Sequence, residues 1–151
     1  MDNAAWPGAL TPHRLPCALR AHLWITDLGF LVYWLTVFSG LLPPEWAYKD
    51  HDLPVMVAWN ASFAPLDLLA SFSGLVALRL LRQGDRRAQI IVPISLSLTF
   101  AAGLLAVVFW TLRGDFEPGW WLPNLYLILW PLWALRQWWT RADTTPARPS
   151  A

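Results

Sequence analysis

Residues 55–81 read VMVAWNASFAPLDLLASFSGLVALRLL. At the rise of an α-helix this run covers about 40 Å, more than the ~30 Å hydrocarbon core that about 20 apolar residues cross. It carries one acid, Asp67, and no base before Arg79. The run reads as a membrane-spanning helix that begins at the interface, around Val55–Trp59. Three further apolar stretches flank it, at Leu23–Leu42, Ile90–Leu112 and Gly119–Leu135. The last is short, and Trp138 and Trp139 extend it into the headgroup layer as an aromatic anchor.

The whole composition agrees. Hydrophobic residues make up 56% and charged residues 14%, with twelve tryptophans against a single lysine. A soluble domain needs roughly 25% charge to coat its surface, so this chain must hide apolar area in lipid. The expected fold is an all-α membrane protein, a four-transmembrane-helix bundle with spans near 23–42, 55–81, 90–112 and 119–139. Residues 1–20 form an N-terminal cytoplasmic segment, 21–139 the membrane domain and 140–151 a disordered cytoplasmic tail. Residues 1–18 lack a long apolar stretch and are not a secretory signal.

Basic residues set the orientation. Nine of eleven fall in the N-terminal segment (Arg14, Arg20), the loop after the second span (Arg79, Arg82, Arg86, Arg87) and the tail (Arg136, Arg141, Arg148). The other side has only Lys49 and Arg113, among Glu45, Asp50, Asp52, Asp115 and Glu117. Both termini and the middle loop are therefore expected in the cytoplasm, in a multi-pass protein of a bacterial plasma membrane. Prolines mark the limits: Pro43-Pro44 closes the first helix, Pro54 precedes the second and Pro118 the fourth. Pro65, Pro123 and Pro131 predict kinks in the second and fourth helices. The two outer loops echo one another, Lys49 preceding Pro54 by five residues as Arg113 precedes Pro118.

The dispersed bases and net charge of +1 argue against nucleic acid. Cys17 is the only cysteine, and no nucleophile–base set, phosphate loop or metal-ligand motif appears, so neither metal nor cofactor is expected. Asp50-His51-Asp52 reads as a solvated loop, and Asn60-Ala61-Ser62 sits at or inside the membrane, where its glycosylation pattern has no use.

Asp27 and Asp67 stand out. An aspartate near a helix centre costs roughly 2.5–3.5 kcal/mol on insertion scales. Asp27 lies about 6 Å from the inner end of the first span and Asp67 roughly 12 Å below Trp59, so contact between them is not required. No Lys or Arg occupies the centre of any span. Each acid must be hydrated, hydrogen-bonded or protonated, and Asp27 has Arg20 or helix-end hydroxyls as structural partners. Asn60, Ala64, Asp67, Ser71 and Gly74 form one small, polar helical stripe. Thr26, Gly29, Tyr33, Thr36 and Gly40 form a second, and Ser95, Thr99, Gly103, Ala106, Trp110 and Arg113 a third. Such faces pack helices closely in membranes. They also predict a pocket walled by Asp67, with Asn60, Trp59, Asn124, Tyr126, Asp27, Tyr33 and Trp110 as ligand-binding residues, and Arg113 and Asp115 as an outer gate.

Over Leu23–Leu135 the chain resembles the YvaD family of small bacterial membrane proteins. The strings that carry the resemblance are Ile25–Phe30, Ala58–Asn60 with Ser62-Phe63, Pro65–Leu68, Arg113–Phe116, Trp120-Trp121 and Pro123–Tyr126. The resemblance implies topology and brings no assigned activity. Ala58-Trp59, Ser62-Phe63 and the acid Asp67, with Tyr126 and Pro131, are more distantly similar to the EXPERA domain of sterol isomerases and the sigma-2 receptor. That likeness implies a lipid-facing pocket between helices for a hydrophobic ligand, a cationic one among the alternatives. The isomerases have a histidine where this chain has Phe63 and an acid in the third helix, which here has none before Asp115. Isomerase chemistry is therefore not expected, and Asp67 is the general acid only if the protein is an enzyme acting on a lipid or isoprenoid. The leading expectation is binding of a membrane lipid or hydrophobic small molecule. Alternatives are a small proton-coupled transporter working as a homo-oligomer, or an accessory subunit without its own ligand.

Overall fold

The computed structural model describes residues 16–143 and is helical throughout its regular elements. In chain order these are α1 (Cys17–Phe38), α2 (Pro44–Ala47), α3 (Pro54–Ser62), α4 (Ala64–Gln83), α5 (Ala88–Leu112) and α6 (Pro118–Asp143). Three units are long and apolar enough to cross a membrane: α1, the α3–α4 pair over Pro54–Gln83, and α5. At 26 residues α6 has the length, but its tryptophans, prolines and polar residues dilute its apolar character. It also continues to Asp143, past the boundary drawn at Thr140. The rest of the tail, with Arg148, and the N-terminal segment through Arg14 lie outside the described residues.

Proline and glycine set the interruptions, only partly where expected. The second span breaks at Phe63, between α3 and α4, because Pro65 has no N–H to offer the preceding turn. By contrast α6 runs through Pro123 and Pro131, and α5 through Pro93, without a break. The first helix does not wait for Pro43-Pro44. It ends at Phe38, where Gly40 takes φ 69° and Leu41 N–H donates back to the Thr36 carbonyl at 3.1 Å. Only glycine adopts that left-handed geometry without steric cost, so the cap terminates α1 first. The same closure ends α5: Gly114 has φ 67°, and Asp115 N–H donates to the Trp110 carbonyl at 3.0 Å.

Helices α1, α4, α5 and α6 pack in sequence, each against the next, and α1 meets α6 briefly. At one end all four share a core of Leu19 and Leu23, Ala77 and Leu78, Val92 and Leu96, and Trp130 and Ala134. Small residues let the backbones approach elsewhere. A Cβ built at Gly103 on α5 would stand 2.7 Å from the Asn124 carbonyl oxygen and 2.8 Å from Leu127 Cβ on α6. The outward faces carry Ile25, Val32 and Leu35 on α1, Leu69, Phe72 and Val76 on α4, and Ile90 and Leu105 on α5, all exposed. A soluble monomer rarely shows so continuous an apolar surface.

The stripes read from sequence on the α3–α4 pair and on α5 are the buried faces: Asn60, Ala64, Asp67, Ser71 and Gly74, and Ser95 through Trp110. Arg113 lies beyond that face, partly exposed. On α1 only part of the stripe, with Thr26, is buried. Gly29 and Gly40 are exposed, and the buried residues are Leu19, Leu23, Thr26, Asp27 and Trp34.

Two glycines separate packing from propensity. Gly103→Ala should destabilise the fold by about 1–3 kcal/mol, because the atoms it meets on α6 include backbone. Gly29→Ala, which meets nothing within 4 Å, should be neutral or stabilise by up to ~1 kcal/mol. Thermal unfolding in a mild detergent compares the two.

Candidate functional site

Helices α1 and α4 run antiparallel, and two rungs define their seam. Trp34 of α1 faces Asp67 of α4, its Nε1–H donating to Oδ2 at 2.8 Å. Two turns inward, Asp27 of α1 lies against Gly74 of α4. Asp27 and Trp34 are seven residues apart, as are Asp67 and Gly74, so each helix supplies one acid and one receiving residue. The acids sit about 10 Å apart along the axis, at different depths as the sequence implied.

Their environments differ. Asp27 is completely buried, and neither oxygen has a hydrogen-bond partner; the Arg20 and hydroxyl partners considered for it are not used. Thr26 Oγ1 turns back to the His22 carbonyl at 2.9 Å instead. A side chain larger than hydrogen at residue 74 would occupy the space of the Asp27 carboxyl. Asp67 is 5% exposed and keeps Oδ1 without a partner. Nearby hydroxyls serve the backbone: Ser71 Oγ donates to the Asp67 carbonyl at 2.9 Å, and Ser95 Oγ to the Ala70 carbonyl at 3.2 Å. Buried carboxyl oxygens without a partner are rare and expensive in native proteins, and each calls for a reason.

The break at Phe63 brings Asn60 of α3 above Asp67. Tyr33 Oη lies 3.1 Å from both Asn60 Oδ1 and the Ala47 carbonyl, and its ring meets Trp34 edge-on at 5.0 Å. Tyr33, Trp34, Asn60 and Asp67 thus form one polar cluster. Beside it stands an aromatic assembly. Trp59 stacks on Phe109 at 4.0 Å and meets Trp110 edge-on at 5.4 Å, and Trp110 stacks on Trp120. Arg113 caps this assembly, 5.6 Å from the Trp110 ring, and donates to Met56 Sδ at 2.9 Å.

Two of the expected ligand residues take partners elsewhere. Asn124 Nδ2 donates to the Trp120 carbonyl of its own helix at 2.7 Å. Tyr126 Oη pairs with His22 Nδ1 at 2.7 Å, and His22 stacks on Trp130 at 5.5 Å. His22 therefore links α1 to α6. Trp34 was missed altogether. Its signal was the seven-residue spacing from Asp27, obscured because tryptophan in this chain reads by default as interfacial.

The outer gate residues form a reciprocal clasp. Lys49 Nζ donates to Asp115 at 2.6 Å and lies 3.7 Å from Glu117, while Arg113 pairs with Asp50. Each loop's base takes the other loop's acid. The glycine cap at Gly114 turns Asp115 toward this position, and Trp121 Nε1–H holds the Asp115 carbonyl at 2.8 Å. Among the described residues no group of three or more acids, histidines or cysteines is placed to hold a metal ion, and His51 lies 3.3 Å from exposed Asp52.

Residues 19–144 match the family of unknown function DUF5360. Over 108 residues the chain is 48% identical to the uncharacterized protein YvaD of Bacillus subtilis (strain 168), covering 72% of this chain and 81% of that protein. No solved structure matches.

The clasp has a definite pH signature. The Lys49 hydrogen bond holds the Asp115 carboxyl below the ordinary carboxylate value of 3.8, and the same bond holds Lys49 above the ordinary 10.5. The lowered acid contributes stability that is complete above 3.8 and lost as pH falls through its folded value. The raised base contributes stability that is complete below 10.5 and lost as pH rises through its folded value. The thermal midpoint of wild type minus that of Lys49→Met should be small, positive and flat between these limits. It should shrink toward zero beyond either, and in about 1 M salt.

Proposed function

This chain belongs to the DUF5360 family, and we propose that it is a four-span plasma-membrane protein whose α1–α4 seam binds a hydrophobic, amine-bearing small molecule or lipid. The termini and middle loop face the cytoplasm, as the distribution of arginines requires, with α6 the fourth span. Its tryptophans suit a helix that ends in the headgroup layers.

One observation carries the reading. Three carboxyl oxygens, both of Asp27 and Oδ1 of Asp67, are buried without a partner in an otherwise apolar seam. A bundle held by packing alone gains nothing from them. An ammonium group would satisfy Oδ1 of Asp67 with the short, charge-assisted bond such a site favours, and a second donor of the ligand two turns away would be needed for Asp27. Tyr33 and Asn60 supply a hydroxyl and an amide for a second polar group, and Trp59 and Trp110 an aromatic wall for the apolar body. Access is proposed between α1 and α6, outward of the His22–Tyr126 bond.

A second reading, proton-coupled transport by an oligomer, is favoured by the placement of both acids on one seam, two turns apart. It requires a pH-dependent flux in proteoliposomes that either aspartate variant abolishes.

Binding is tested by mass spectrometry of gently purified protein with its co-purifying small molecules, wild type beside Asp67→Asn. The expected result is an amine-bearing hydrophobe retained by wild type, with affinity about ten- to a hundredfold lower in the variant. Asp27→Asn removes an unpartnered buried acid, so it should weaken binding while leaving the thermal midpoint equal to or above wild type. If every preparation carries only bulk phospholipid and the midpoints coincide, the accessory-subunit reading takes its place.

A further inference from the structure

At the cytoplasmic end of the same seam a groove of about 370 Å³ opens between α1 and α4, lined by Trp24, Leu75, Leu78, Arg79, Arg82 and Gln83. Leu75, Leu78, Arg79 and Arg82 follow helical spacing of three, one and three, so one face of α4 passes from apolar to doubly basic within two turns. Trp24 forms the opposite wall, and the Arg82 guanidinium lies 5.5 Å over its ring.

The charges in this groove are unbalanced. Among the described residues, neither Arg79 nor Arg82 forms an ion pair. The acid nearest in sequence, Asp85, is taken by Arg87 through a 2.7 Å contact. That engagement holds the Asp85 carboxyl below its ordinary value, so it stays an anion committed to Arg87. The C-terminal end of α4 disfavours an anion, but the N-terminal end of antiparallel α1 lies on the same side and offsets it. Two guanidiniums therefore face outward at headgroup depth, above leucines at acyl-chain depth.

We propose that this groove binds one anionic phospholipid of the cytoplasmic leaflet. Arg79 and Arg82 bind the phosphate diester, Trp24 supports Arg82, and one acyl chain lies along Leu75. Arginine's planar fork matches two phosphate oxygens at once, which a choline headgroup would shield and an anionic glycerol headgroup leaves open. A polybasic site at a membrane surface gains roughly 1 kcal/mol per basic residue, so two give a preference of about ten- to thirtyfold for the anionic lipid. The inference rests on the membrane-spanning reading and is independent of the Asp67 site.

The test is native mass spectrometry of the detergent-purified protein titrated with phosphatidylglycerol, phosphatidylcholine or inorganic phosphate. The protein is wild type, Arg79→Gln/Arg82→Gln or Arg79→Lys/Arg82→Lys. Wild type should retain a single phosphatidylglycerol with the stated preference over phosphatidylcholine. The glutamine pair should lose that preference, and the lysine pair should keep part of it. Both arginines are exposed, so the fold should survive either change. Equal retention of the two lipids, or undiminished preference in the glutamine pair, would overturn the proposal. Equal stabilisation by inorganic phosphate would also overturn it, by reducing the groove to an ion site. Alkaline carbonate extraction of the same variants reports membrane insertion separately, so failure of the groove and failure of the spanning reading give different results.

Discussion

The packing of α1 against α4 is governed by the need to accommodate two carboxyl groups in an apolar interior. Asp67 is accommodated by the indole of Trp34, which satisfies one oxygen. Asp27 is accommodated by absence, since Gly74 leaves the volume its carboxyl fills. A low-dielectric interior penalises an unpartnered polar group more than water would, so these two contacts constrain the seam more tightly than the leucines around them. Sliding one helix by a turn would set Asp27 against side-chain bulk and take Trp34 from Asp67. The register of the seam thus follows from the acids, and α5 and α6 pack onto a pair whose alignment is already determined.

At the end of the bundle that carries the loops after α1 and α5 a different kind of constraint operates. The loops after α1 and after α5 each present a base and an acid, and they exchange partners. The helices they follow end in the same glycine closure, at Gly40 and Gly114. The echo visible in sequence between Lys49–Pro54 and Arg113–Pro118 therefore has a structural counterpart, an approximate equivalence of two loops that meet. Exposed ion pairs contribute little individually. Their value here is geometric, because the clasp fixes Arg113 over Trp110 and Phe109.

Much of this was legible in the sequence, and the failures are instructive. The apolar runs at 55–81 and 90–112 lie within two residues of the α3–α4 pair and of α5, whereas α1 begins six residues before the run at Leu23 and ends four before its close at Leu42. The buried faces of α4 and α5 were readable because small and hydroxyl residues recur there at helical spacing. On α1 the same rule chose Gly29 and Gly40, since a small residue was taken as a packing contact. In α1 those glycines lie outside the packed face or end the helix, and large Trp34 occupies the seam. The pairing of Tyr126 with His22 was also invisible, because two long side chains reach across depths that counting residues along each helix keeps apart. Position along a span can be counted from sequence, but rotation about its axis is decided by partners that one helix does not contain.

The indole at Trp34 has a consequence of its own. Tryptophan nitrogen donates one hydrogen bond and accepts none, so it can hold Oδ2 of Asp67 whether the carboxyl is an anion or a neutral acid. A histidine, lysine or arginine in its place would bind the two forms very differently. The tether therefore persists in either state, shorter and stronger to the anion, and the chemical state of Asp67 can change at Oδ1 while the indole still holds Oδ2. A charge can thus be gained or lost at this residue while its contact to α1 through the indole is kept.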